Sequence, residues 1–243
     1  MKKIIIGALL WSAASLVFAV NAEEIVRKLE ANTIHDSVRV EGSMVIKDRF
    51  GTKESSYISW GEGEDNMLIE FTSLEERGQK ILRTKDEIYL YFPDAEELIR
   101  LQGSALRDSV LGSDFSYEDM TGDKGILDTY KVTLEGTEKI DGHLCYRLNL
   151  KAVSRDVPYS REVMWVDTEL FIYRQVHKFS VSDRLLKELK VLEIEEISGR
   201  LIPVRVLISD KMKKDSSTES IIKKIEIGSK LDPELFSLQE LTW

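Results

Sequence analysis

The middle of the chain holds the stretch Leu111-Gly112-Ser113-Asp114-Phe115-Ser116-Tyr117-Glu118-Asp119. It combines three acids, two aromatics and several small residues, and it lacks the alternation of apolar and polar residues that marks a strand. Alternating sequence lies on both sides of it. A β-protein interrupted in this way is predicted to use the stretch as a lid, a crossover or a docking surface.

On the N-terminal side, the apolar residues recur with a period of two. The first predicted strand carries them at Val38, Val40, Met44 and Ile46. Gly42 falls where a bend or bulge is expected. Residues 88–92 are apolar or aromatic at every position, so this strand is predicted to be covered on both faces. A short amphipathic helix is predicted before the strands, at residues 23–30.

On the C-terminal side, alternation resumes at Tyr130 and continues to Ile227, with Asp141-Gly142 as a typical hairpin turn. Roughly eleven or twelve strands at a spacing of about ten residues indicate a sandwich or a barrel. Asp232-Pro233 is predicted to begin a short terminal turn, with Pro233 at its first helical position. Because the sequence has no internal repeat and no low-complexity linker, we expect one mainly β domain over residues 23–243.

The first 22 residues have the form of a secretory signal. Lys2 and Lys3 precede an apolar run over residues 4–18, and small-residue cleavage motifs end at Ala19 and Ala22. The run is shorter than the roughly 20 residues that span a membrane. Cleavage after Ala19 or Ala22 is therefore predicted, with a retained N-terminal anchor as the alternative.

Charge and cysteine content limit which classes of partner and which cellular compartment are expected. Loss of the two signal lysines would leave 32 basic and 43 acidic residues, a net charge of −11, which argues against a nucleic-acid partner. Cys145 is the only cysteine, so no intramolecular disulfide can form, and it lies far from any lipidation signal. An exported chain of this kind fits the bacterial periplasm.

Residues that carry chemistry are sparse. His35, His143 and His177 are the only histidines, and none lies at metal-ligand spacing from another. The sequence has no nucleophile-elbow serine and no phosphate-binding glycine loop. We therefore expect neither a metal, nor a cofactor, nor a catalytic residue, and we classify the protein as a non-enzyme.

The acids of the central stretch allow two interpretations. In the first, Asp114 or Ser116 caps a short helix, and Glu118 and Asp119 stand in its first turn, where negative charge suits the helix dipole. Phe115 and Tyr117 would then pack the stretch onto the sheet. In the second, the stretch is a docking surface for a membrane partner.

Large side chains on the strands are the other candidate functional feature. An open sheet of about eleven strands leaves room inside, whereas a small barrel is nearly filled by its own side chains. Side chains of this kind either fill a core or line a cavity. The candidates for a lipid-binding cavity are Trp60, Met67, Ile69, Phe71, Tyr89, Tyr91, Tyr146 and Trp165.

The chain resembles the LolA-like outer-membrane lipoprotein-sorting proteins. Gly112-Ser113-Asp114-Phe115-Ser116-Tyr117-Glu118-Asp119 is similar to a block of that family, in the branch associated with lipid-exporting pumps of the RND type. Tyr89-Leu90-Tyr91-Phe92-Pro93 resembles the family's Trp-Leu-Tyr-Leu-Pro strand, with Tyr89 in place of the tryptophan. Shorter similarities lie at residues 78–82, 100–104, 142–146 and 165–167.

This resemblance implies a half-open, incomplete antiparallel β-barrel of about eleven strands, closed by a few short helices, as in LolA and LolB. It further implies a monomeric periplasmic carrier that ferries lipidated protein or lipid acyl chains between the inner and outer membranes. An inner-membrane transporter and an outer-membrane acceptor would be its partners, and residues 112–119 its lid. The alternative is a lipid-sensing or partner-binding regulatory module, accessory to an RND-type lipid exporter.

Overall fold

The computed structural model describes residues 20–85, 87–121, 125–155, 157–232 and 234–242. Thirteen strands make up most of the described chain: β1 (Val38–Asp48), β2 (Gly51–Glu62), β3 (Asn66–Phe71), β4 (Lys80–Thr84), β5 (Glu87–Phe92), β6 (Glu97–Leu101), β7 (Tyr130–Ile140), β8 (His143–Ala152), β9 (Arg161–Asp167), β10 (Tyr173–Phe179), β11 (Leu185–Ile197), β12 (Arg200–Asp210) and β13 (Ser217–Ile227). The α-helices are α1 (Ala22–Thr33), α2 (Tyr117–Thr121), α3 (Ile126–Thr129) and α4 (Leu238–Leu241).

All thirteen strands belong to one antiparallel sheet, in the order β6-β5-β4-β3-β2-β1-β13-β12-β11-β10-β9-β8-β7. The first strand pairs with the last, which joins the two halves of the chain side by side. The sheet is not closed, since β6 and β7 lie at its two edges. The predicted half-open, mainly β architecture is confirmed. The strand count is thirteen rather than about eleven, because β4, β5 and β6 are separate strands of only five or six residues.

The sheet curves around an interior. Met67 on β3 and Leu150 on β8 line the same cavity, although seven other strands lie between β3 and β8 in the sheet. We call the face toward this interior the inner face. The two largest apolar clusters lie on it, one centred on β1–β5 and one on α1 and β7–β10, and Leu189 on β11 packs against both.

Helix α1 covers part of the inner face. Ile25, Val26 and Leu29 are buried on its sheet-facing side, as the amphipathic pattern predicts. Arg200 on β12 donates hydrogen bonds to the carbonyl oxygens of Ala31 and Ile34, which fixes the C-terminal end of the helix. Last-turn carbonyls have no partner inside their own helix, so an arginine here stabilises that end.

The outer face is covered over β2–β5 by the end of the chain. Leu241 of α4 is fully buried against Leu68 and Leu82, and Leu235 and Phe236 pack beside it. Strand β5 is therefore covered on both sides, as its continuous apolar sequence predicts. Pro233, the predicted first helical position of the terminal turn, lies outside the described residues.

Gly42 marks the predicted irregularity in β1, where the register with β13 shifts between Glu41 and Gly42. An added Cβ at Gly42 would lie 2.8 Å from the carbonyl oxygen of Ile221 and 2.8 Å from the hydroxyl of Tyr57. Close approach of two strands and an aromatic ring thus requires the absence of a side chain here.

We expect Gly42→Ala to lower the free energy of unfolding by about 1–3 kcal/mol, because neighbouring backbone would have to move. Urea denaturation measures the change. Lys47→Ala, at an exposed position of the same strand, is the matched control and should change stability by less than about 0.5 kcal/mol. Equal stabilities of the two variants would show that β1 and β13 can separate at the bulge without cost.

Candidate functional site

A cavity of about 340 Å³ lies inside the curved sheet. Its wall is built from α1, α2 and α3, from β1–β3 on one side and from β7–β11 on the other. Apolar side chains supply much of the wall: Leu29, Ile34, Val38, Met67, Ile126, Leu150, Met164, Val176 and Leu189. We call β1–β6 and β7–β13 the two arms of the unclosed sheet. Because these residues come from both arms and from the helices between them, the cavity exists only while the arms keep their separation.

Polar residues also line the cavity, among them Glu30, Glu64, Asn66 and Thr121. Asp119, Glu162 and Lys178 lie together on one side, and His35 lies near the end of α1. His35 is buried, and its Nδ1 has no hydrogen-bond partner among the described residues. Burial, helped by the nearby Arg200, lowers the pKa of His35, which keeps the ring neutral.

Residues 112–119, which we call the central segment, run across the interior. Ser116 and Asp119 form a reciprocal cap at the start of α2: the Ser116 hydroxyl accepts from the Asp119 N–H (3.2 Å), and the Asp119 carboxylate accepts from the Ser116 N–H (3.0 Å). This is the capping-box arrangement with aspartate in the third helical position. It agrees with the capping interpretation of Ser116.

Asp119 also joins the central segment to the sheet. Its carboxylate accepts from Lys178 on β10 (3.0 Å) and from Lys187 on β11 (2.5 Å), and the Tyr159 hydroxyl donates to it at 3.0 Å. Burial alone would raise the pKa of Asp119, but the two ammonium groups outweigh it and hold the pKa well below 3.8. The carboxylate is thus ionised, and both lysines that contact it are themselves almost completely buried.

Asp114 joins the segment to a different part of the sheet. Its carboxylate accepts hydrogen bonds from the Asp210 N–H and from the hydroxyls of Ser216 and Thr218, at 2.8–3.0 Å. These partners lie at the turn between β12 and β13. Asp114 is completely buried, so it acts as an internal acceptor for that turn.

A third connection reaches β4, on the other arm. Arg83 lies 3.6 Å from Glu118 in a buried ion pair and donates to the Thr121 hydroxyl. The central segment and α2 therefore contact β4 on one side and β10–β13 on the other. Such polar contacts inside a low-dielectric interior fix the spacing of the two arms.

The sequence-predicted cavity residues do not share one face. Met67, Ile69, Phe71 and Tyr146 lie on the inner face. Trp60, Tyr89 and Tyr91 lie on the outer face with the C-terminal segment, and Trp165 packs there against Cys145, Val163 and Phe179. Of these eight residues, Met67 is the one that lines the cavity.

The predicted lid residues are mostly internal. Ser113, Asp114, Phe115 and Ser116 are buried, whereas Tyr117 and Glu118 are partly exposed and Gly112 is exposed. In this structure the acids of the segment point at protein groups rather than at solvent. The segment thus lies within the curved sheet, with most of its residues packed against other parts of the protein.

Sequence reasoning did not select Lys178, Lys187 or Glu162. All three stand at inward positions of strands, where the alternation calls for apolar residues, and all three are buried. A charged residue at an inward position was the available signal. Its interpretation requires knowing that Asp119 lies opposite.

A second depression, of about 700 Å³, lies between the 3-10 helix at Gly103–Arg107 and residues 153–155 and 157–158. Arg83, Arg107 and Arg155 line it together with Glu118 and Asp128, so its wall is far more polar than that of the cavity. Within the described ranges, no three histidine, cysteine, aspartate or glutamate side chains are grouped to hold a metal ion. No helix found there has the length and apolarity to cross a membrane.

Comparison with known proteins supports the fold. A family model described as "Uncharacterized protein" matches residues 63–243. A DUF1329 family protein from Desulfovibrio piger has 22% identity and a TM-score of 0.84, covering 90% of this chain and 97% of its own. A LolA superfamily protein from Nitrosomonas europaea has 24% identity and a TM-score of 0.79, covering 91% and 100%.

A domain from Vibrio parahaemolyticus, described as an outer membrane lipoprotein-sorting protein, is similar at 18% identity. Its TM-score is 0.82, and the match covers 92% of this chain and 100% of that one. Among curated proteins, none matches. At these identities the comparisons establish the LolA-type fold.

We expect Asp119→Asn to lower the free energy of unfolding by about 3–5 kcal/mol, because it removes the carboxylate that Lys178 and Lys187 share, although Lys178 keeps Glu162 at 3.5 Å. Asp114→Asn is the isosteric comparison. It keeps a carbonyl acceptor and should cost only about 1–3 kcal/mol. Chemical denaturation of both variants measures the difference. Equal losses would show that hydrogen bonding, rather than charge, holds the central segment.

Acid should lower the free energy of unfolding through protonation of the Asp119 carboxylate. The pKa of Asp119 is lower in the folded protein than its ordinary value of 3.8, so the unfolded chain takes up the proton first. Its contribution to stability is complete above about pH 5 and is lost as the pH falls below about 4, toward the folded pKa. Urea denaturation between about pH 6 and about pH 2 should show a shallower acid-side decline in Asp119→Asn than in the wild type. Identical slopes would assign the acid sensitivity to other carboxylates.

Proposed function

Because the chain belongs to the family whose model matches residues 63–243, and this family has the LolA-type fold, we propose that the protein is a periplasmic, non-enzymatic carrier of acyl chains. Its cargo would be a lipid or a lipidated protein, moved between the inner and outer membranes. An inner-membrane transporter would load it and an outer-membrane acceptor would unload it.

The observation that carries this proposal is the cavity between α1 and the two arms of the sheet. Each methylene removed from water contributes about 0.8 kcal/mol, so a sixteen-carbon chain needs on the order of 12 kcal/mol of apolar shelter in transit. The wall of Leu29, Val38, Met67, Leu150 and Val176 supplies such surroundings. A volume of about 340 Å³ lies at the small end of the range of about 300–1,000 Å³ for ligand sites, which suits one chain better than a complete lipid.

Release of the cargo requires the interior to open, and the central segment is our candidate for the closing element. Its contacts with β4 and with β10–β13 are polar, so they can exchange for water or for partner groups as the arms separate. Apolar closure would expose hydrophobic surface at the same step. The polar contacts thus lower the free-energy cost of opening at a membrane partner, whereas exposure of Phe115, which is buried in the apolar cluster on β1–β5, adds to that cost.

Export would begin with removal of the N-terminal signal, and α1 favours one of the two sites. The Asn21 side chain caps the helix by accepting from the Glu24 N–H at 2.8 Å. Cleavage after Ala19 keeps this cap, whereas cleavage after Ala22 removes it. Loss of such a cap costs about 0.5–2 kcal/mol, so we propose Ala19 as the site.

Native mass spectrometry with lipid extraction, on protein purified from the periplasm of its host, tests the carrier proposal and the cleavage site together. We expect bound lipid or lipoprotein and an N-terminus at Val20. Protein that is empty and takes up no added lipid would contradict the carrier function. If such empty protein binds the periplasmic domain of a membrane protein, the result would favour the regulatory module instead.

A substitution on the cavity wall tests the location of the acyl chain. Met67→Trp adds volume to the cavity and should weaken binding of the fluorescent fatty acid cis-parinaric acid by about tenfold. Leu98→Trp introduces the same side chain on the outer face, where Leu98 lies opposite Tyr91, and should bind normally. Unchanged binding by a folded Met67→Trp protein would place the chain elsewhere.

A further inference from the structure

Three neighbouring turns lie at the same end of the strands, and each presents an exposed apolar side chain. Phe50 in the β1–β2 turn is 82% exposed, Val181 in the β10–β11 turn 93%, and Met212 in the β12–β13 turn 46%. Phe50 and Val181 are among the most exposed large apolar residues of the described chain. A single exposed apolar residue is ordinary, but one on each of three adjacent turns needs an explanation.

The pairing of the strands places these turns side by side. Lys47 near the end of β1 lies opposite Ser217 at the start of β13, so the β1–β2 and β12–β13 turns emerge together. Lys187 lies opposite Asp210, and the Lys211 N–H donates to the Leu186 carbonyl at 2.7 Å, so the β10–β11 turn follows next. We call residues 49–50, 180–184 and 211–216 the basic edge.

The charge of this edge differs from that of the protein. The basic edge holds five basic residues and two acidic ones, although the whole chain has a net charge of −9. At the opposite end of the strands, the turn residues 63–65, 85, 141–142, 168–172 and 198–199 include four acidic residues and one lysine. The neighbouring turn at residues 72–79 also exposes Leu74, but it contains Glu75, the buried Glu76 and Arg77, so it adds no excess of basic residues.

We infer that the basic edge is a docking surface for an anionic lipid bilayer. Its apolar tips would enter the interface, while the flanking lysines and arginines meet the phosphate groups. Short apolar insertions combined with basic residues are what reversible interfacial binding requires. The acidic opposite end would be repelled, so the protein would approach a membrane in one orientation. This inference concerns the outside of the protein and does not depend on what the cavity binds.

Flotation of the exported protein with lipid vesicles tests the inference. The wild type should float with vesicles of phosphatidylethanolamine and phosphatidylglycerol, and much less with phosphatidylcholine vesicles. Phe50→Ser combined with Val181→Ser and Met212→Ser should weaken binding by about tenfold or more. Arg49→Gln combined with Arg184→Gln and Lys214→Gln should weaken it by about fivefold per charge at low salt.

Leu144→Ser combined with Leu170→Ser, at the opposite end of the strands, is the matched control and should float like the wild type. All positions changed are solvent-exposed, and unchanged melting temperatures will show that each variant is folded. Failure of the wild type to float with anionic vesicles would overturn the inference. Equal flotation of the basic-edge variants and the control would overturn it as well.

Discussion

The ionised carboxylate of Asp119, held between the buried ammonium groups of Lys178 and Lys187, is the contact on which the interior depends. With Glu162 3.5 Å from Lys178, four charges are taken out of water at a large desolvation cost, and close geometry with further hydrogen bonds is needed to offset it. Ser116 and Tyr159 supply those bonds. An apolar cluster at this point would fill the space that the polar arrangement leaves open beside the cavity. These charges thus hold the central segment on β10 and β11, and the Arg83–Glu118 pair continues the connection to the other arm.

The central segment can be understood from its position relative to the curved sheet. Its anchors are Arg83 on β4 of one arm and, on the other arm, the partners of Asp119 on β10 and β11 and of Asp114 on β12 and β13. A sheet whose edge strands are unpaired has no hydrogen-bond ladder to fix its curvature. The segment supplies that constraint through side chains instead. It therefore contributes to the shape of the cavity even though it forms little of the wall.

Much of the architecture could be predicted from the sequence, because alternation, turn residues and the Gly42 irregularity are local signals. The helix over α1 and the double coverage of β5 follow from the same kind of pattern. Which face points inward could not be predicted strand by strand. Trp60 lies opposite Leu68 rather than Met67, so its side chain is on the outer face with Leu68. Which of the two residues it faces depends on the register between β2 and β3. The candidate site was harder still to predict from the sequence, because the buried positions of Lys178 and Lys187 are explained only by their contacts with Asp119, which is far away in the chain.

The pairing of β1 with β13 has a consequence for how the protein folds. The first strand cannot complete its place in the sheet until the last one has been synthesised, and Asp119 must likewise wait for residues 178 and 187. Contacts of such large sequence separation make folding slow, since loop closure precedes any gain in stability. A chain that stays unfolded until its end emerges is well suited to being threaded through an export channel. Under the proposed export, this topology would delay folding until translocation is complete.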